Sequence, residues 1–190
     1  MRSFDPRSVG LWEQRAWEWY YRRRWLAFLV ASVALVRGAF RMGWVRTFVG
    51  AWLVLRANMK WAPFPDNDPE AARALMTRFY ELLRASDPAA AAADPRRAAW
   101  LEVEWWRVHR EHQHAGDPID GLVNALADLY AYSYSTDVEA VRPAARYRAE
   151  AMDISDRWVE AGCDPSSPLL REERALLVRS YAALLAAVHR

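Results

Sequence analysis

The residues best suited to chemistry are crowded into Trp100–His114, WLEVEWWRVHREHQH. This stretch holds three of the chain's four histidines and three of its eleven tryptophans. On a helix, at about 100° per residue, Leu101, Trp105, Val108, His112 and Ala115 share one face. Glu102, Trp106, His109 and Gln113 form the stripe beside it, and Glu104, Arg107, Glu111 and His114 lie toward the far side. This places His112 in the apolar centre, His109 and Glu102 at its edge, and His114 in solvent.

Three chemistries fit that placement. The first is a metal centre, because helical bundles hold di-metal sites with carboxylates and histidines projecting inward from facing helices. Glu102, His109 and His112 would act with Glu173, which falls in the middle of the apolar face of the last helix, or with Glu150. Imidazole and carboxylate ligands suit iron, manganese or zinc. Against this, the repeated Glu-x-x-His pair of such bundles is missing. Glu102 and His109 are spread over about 10 Å of helix, and the fourth histidine, His189, sits at the fraying end of the chain.

The second is a buried polar network, with His112 bonded to Glu173 and the N–H groups of Trp105 and Trp106 satisfied. The third is a ligand pocket lined by Trp105, Trp106, His109, His112, Tyr147 and Trp158. Apolar walls with a few inward polar groups are the usual make-up of small-molecule sites.

Other chemistries find no footing. The chain has no glycine-rich phosphate loop, GxSxG elbow, HExxH pair or EF-hand loop. Its single cysteine, Cys163, excludes an internal disulfide framework or cysteine metal cluster and lacks a base beside it in sequence. No internal repeat is visible.

The elements that must position these residues are helical. Glycine is scarce at seven, alanine, leucine, arginine and glutamate dominate, and no stretch alternates like a half-buried strand. A chain of 190 residues is most simply one domain, able to bury roughly 70% of its unfolded surface. Residues 62–69 (APFPDNDP) form a proline-rich hinge. Asp68-Pro69, Asp94-Pro95 and Asp137 each open a helix with an N-cap, while 87–93 is an alanine-rich connector. Gly116-Asp117-Pro118 stops one helix and caps the next, spanning 119–134. Gly162 suits a left-handed stop after the 137–161 helix, and a last helix covers 169–188. Asp153 is placed to pair with Arg157 on the helix surface.

The net charge of +2 hides an asymmetry: residues 1–61 carry +8 and residues 62–190 carry −6. The basic end also holds seven of the eleven tryptophans. Its apolar runs, Trp25–Val36 and Trp44–Leu55, would each form about 18 Å of helix against roughly 30 Å of bilayer hydrocarbon, so neither spans. As a signal peptide the region has too long a leading segment and no convincing cleavage site. One reading makes the two runs a buried pair at the bundle centre with snorkelling arginines. Another lays them in a membrane interface, tryptophans at headgroup depth and arginines on anionic lipid. Nucleic acid ranks third, because the aromatics sit inside apolar runs.

The expectation is an all-α single domain, 1–190, of six or seven helices: a Trp/Arg-rich hairpin (1–61), the hinge (62–69) and a bundle (70–190). Its expected function is a non-enzymatic binding module with an aromatic-lined apolar pocket or surface. Its partner would be a protein, a second copy or an anionic membrane surface met through residues 11–55, in the cytoplasm or at its membrane periphery. The alternative is a metal-dependent redox enzyme using Glu102, His109, His112 and Glu173. The binding module requires an exposed apolar or tryptophan patch over 11–55.

Overall fold

The computed structural model describes residues 3–87 and 94–189, and every regular element within them is an α-helix. There are eight: α1 (Pro6–Tyr21), α2 (Trp25–Phe40), α3 (Trp44–Trp61), α4 (Pro69–Ser86), α5 (Pro95–Ala115), α6 (Ile119–Tyr134), α7 (Val138–Glu160) and α8 (Leu169–Val188). The expected count of six or seven is corrected to eight, and residues 1–61 form three helices rather than a hairpin. The extra helix is α1. Asp5 accepts from the backbone N–H groups of Arg7 (3.1 Å) and Ser8 (3.2 Å), with Pro6 in the first turn. That is the same Asp-Pro start that opens α4 from Asp68 and α5 from Asp94. Most of the connector expected at 87–93 lies outside the described residues.

The other boundaries follow their signals closely. Asp137 caps α7 through Glu139 N–H at 2.7 Å. Gly116 adopts φ 72°, a left-handed stop for α5 that a residue with a Cβ takes only under strain. Asp117 is not the cap of α6, whose N-cap position is Pro118 without a side-chain bond.

Each helix packs chiefly on its neighbours in sequence, from α1 on α2 through to α7 on α8, and α8 returns to pack on α1. The eight helices therefore close a ring. The closing seam is tight: at Gly10 of α1 an added Cβ would lie 2.9 Å from the backbone nitrogen of Val178 on α8. Leu122 and Leu126 of α6, Met152 and Trp158 of α7, and Leu177 and Leu184 of α8 are fully buried. Truncating such a leucine to alanine costs about 2–5 kcal/mol.

The helices α2 and α3 are not a buried pair at the bundle centre. Each packs one face inward, through Phe28, Ser32 and Val36 on α2 and Ala51, Leu53 and Leu55 on α3. The opposite faces are open, with Leu26 84% and Val45 79% exposed. No helix among the described residues is long and apolar enough to cross a membrane.

Candidate functional site

At the centre of the ring lies a cavity of about 200 Å³ to which all eight helices contribute side chains. Its wall is largely apolar, including Phe28 and Leu35 from α2, Phe79 from α4 and Leu184 from α8. Set into it is a polar cluster. Arg148 on α7 donates from Nη2 to Glu13 Oε1 on α1 and from Nη1 to the Tyr130 hydroxyl on α6 at 3.1 Å. Its guanidinium lies 4.9 Å from the Trp105 ring centre and 5.9 Å from that of Trp17, within cation–π range. Beside it, Glu102 on α5 accepts from the Tyr80 hydroxyl (2.8 Å) and from Trp105 Nε1 (3.2 Å).

The electrostatics follow from burial. Loss of water pushes the Glu13 carboxyl upward, opposed by Arg148 and Tyr181. The Tyr80 phenol is pushed well above its usual range by burial and by Glu102, so it stays a neutral donor. The Tyr130 and Tyr181 phenols are raised too, mainly by burial.

Three polar atoms of residues on this wall are buried without a protein partner: Arg148 Nε, Ser32 Oγ and Ser133 Oγ. Buried polar groups are nearly always paired. A polar atom facing such a space can be completed by water or by a ligand.

A smaller recess of about 100 Å³ adjoins it, sharing Trp17, Phe28, Trp105 and Trp106. Here His109 Nε2 lies 3.0 Å from Asp156 Oδ2, and Asp156 Oδ1 also accepts from Gln113 (2.8 Å) and the Tyr21 hydroxyl (3.4 Å). Arg110 stacks 4.4 Å from the Trp61 ring centre.

Of the pocket residues expected from sequence, Trp105, Trp106 and His109 come together around these spaces. His112 does not. The buried residues of α5 run from Pro95 to Trp106, so the helix emerges from the core before its last turns and its inward face becomes surface. His112 instead bridges to α7, its Nε2 2.8 Å from Asp153 Oδ1, while Nδ1 meets the Asp117 carbonyl. Burial lowers its basicity, but the Asp117 carbonyl and Asp153 outweigh it and raise the imidazole above its ordinary value. Asp153 is thus engaged with His112 rather than Arg157. Tyr147 is half-buried and lines neither space. Trp158 is fully buried and donates to the Asp164 carbonyl at 2.8 Å, pinning the turn after α7. His114 is exposed and stacks on Phe64 at 4.8 Å.

The expected metal ligands stay apart. Glu102 serves Tyr80 and Trp105, His109 serves Asp156, and His112 serves Asp153. Glu173 is fully buried on α8 with both carboxylate oxygens unpartnered. Among the described residues no group of three or more His, Cys, Asp or Glu is arranged to hold a metal ion. The anticipated His112–Glu173 bond is absent.

Sequence reasoning missed Glu13, Arg148 and Asp156. Arg148 carried a signal: Val141, Ala145, Arg148 and Met152 follow helical spacing, an arginine inside an apolar stripe. Ala151, Ile154 and Trp158 of α7 are buried as well, so its core face is wide and Tyr147, half-buried, stands at its margin. No known family, curated protein or solved structure matches the chain.

Proposed function

We propose that the protein is a binding module whose central cavity takes a small, uncharged, largely apolar molecule bearing one hydroxyl or N–H group. The carrying observation is the set of three unpartnered polar atoms, Arg148 Nε, Ser32 Oγ and Ser133 Oγ, on an aromatic and aliphatic wall. An engineered cavity of ~150 Å³ holds benzene, so about 200 Å³ suits a molecule of roughly eight to ten non-hydrogen atoms. Charge selects against a carboxylate ligand: Arg148 is already matched by Glu13, and Glu102 adds a second negative group. The unmet atoms offer both donors and acceptors, which a hydroxyl satisfies from either side.

Calorimetric titration with p-cresol and p-xylene, which share size and shape, tests this reading. One saturable p-cresol site is expected, binding roughly five- to tenfold tighter than p-xylene, the worth of about one hydrogen bond. Ser32→Phe should fill the space and abolish both signals while leaving the helical circular dichroism intact. Equal binding of the two, or no saturable binding, defeats the proposal.

A further inference from the structure

We infer that the outer face of α2 and α3 is a docking surface for an anionic lipid membrane. On α3, Val45, Phe48, Val49, Trp52 and Met59 recur at helical spacing and all stand exposed, from 79% at Val45 to 42% at Met59. On α2, which packs beside it, Leu26 and Val30 are 84% and 60% exposed. Single exposed apolar residues are ordinary, but a sustained stripe of this kind marks a contact surface. The opposite faces of both helices are already used against the ring.

Charge identifies the occupant. Residues 19–65 contain eight arginines or lysines and no aspartate or glutamate. Arg41 and Arg56 are exposed on these helices. Arg46, also exposed, donates to the Ala85 carbonyl (3.0 Å) and the Ser86 hydroxyl (3.3 Å), and Lys60 lies 3.9 Å from Asp68. Arg37 lies 5.0 Å from the Trp44 ring centre and Arg56 5.9 Å from that of Trp52. A tryptophan with a cation at its face is suited to headgroup depth, where indole rings settle and guanidinium groups meet lipid phosphate. A second copy docking face to face would press one basic surface on another. The helices lie too short and too one-sided to cross, which fits an interfacial position with one apolar side in the lipid. This inference is independent of the cavity.

The test is flotation of the full chain with phosphatidylcholine vesicles, with and without phosphatidylserine. Binding is expected only when phosphatidylserine is present, weakening as salt rises. Each exposed arginine exchanged for glutamine, Arg41→Gln or Arg56→Gln, should reduce affinity roughly fivefold. Phe48→Glu with Trp52→Glu, both at exposed positions, should abolish flotation without loss of helicity. Failure to float with anionic vesicles at low salt would overturn the inference. So would equal binding to pure phosphatidylcholine, or unchanged binding by Phe48→Glu/Trp52→Glu. Self-association removed by that pair of changes in the absence of vesicle binding would assign the face to a second copy instead.

Discussion

Arg148 on α7 and Glu13 on α1 form an ion pair between residues 135 positions apart, inside the ring and on the wall of its cavity. The pair matches one charge with the other, leaves Glu102 as the second carboxylate on that wall, and leaves Arg148 Nε unbonded. It ties the first helix to the seventh, so the polar cluster depends on closure of the whole ring rather than on any one helix. The same closure explains why the cavity draws residues from every helix.

Removing one partner should expose this dependence. Arg148→Met would leave the Glu13 carboxyl buried, 3% exposed, with its cation gone, a loss of about 3–5 kcal/mol. Glu13→Gln combined with Arg148→Met leaves no isolated charge and should recover most of that loss. Urea unfolding of the two variants measures the difference. A single change costing under about 1 kcal/mol would mean the pair is not coupled to folding.

Glu173 makes a pH prediction. Burial first, then Glu13 and Glu18, hold its carboxyl well above 4.5, with Arg174 opposing. A carboxyl raised on folding favours the native state while protonated in both states, so its contribution is complete below about 4.5 and is lost as pH rises toward the folded value. Glu173→Met removes two unpartnered oxygens. It should leave stability little changed at acidic pH and raise it by about 1–3 kcal/mol at pH 7. Denaturation midpoints that rise equally at both pH values would contradict the linkage.

The helices were largely legible in the sequence because caps and apolar spacing are local. Asp68, Asp94 and Asp137 cap as expected, and Asp5 would have completed the count had the same Asp-Pro start been read there. The burial of Glu173 was legible too, from its place in the stripe of α8. Its partnering was not. Which charged residue meets which depends on the rotation of helices about the ring, so Glu13 and Arg148 met each other, and His112 met Asp153 at the edge instead of Glu173 within. The open face of α2 and α3 was legible as composition alone; that one side of each packs and the other does not is a property of the assembled ring.

Gly10 and Gly121 should respond with opposite signs to the same replacement by alanine. Gly121 lies in the first turn of α6, where a new Cβ would meet Val108 Cγ1 at an ordinary 3.8 Å. Alanine's better helix propensity then acts alone and should stabilise by up to about 1 kcal/mol. At Gly10 the same propensity gain applies, but the Cβ would sit 2.9 Å from both the backbone nitrogen and Cγ2 of Val178. The valine side chain can rotate, whereas its backbone moves only if α8 shifts against α1 and opens the seam that closes the ring. Overpacking of this kind costs about 1–3 kcal/mol, which exceeds the propensity term. Thermal or urea unfolding should therefore show Gly121→Ala more stable than the parent and Gly10→Ala less. If Gly10→Ala proves neutral or stabilising, α1 and α8 do not approach as closely as the ring requires.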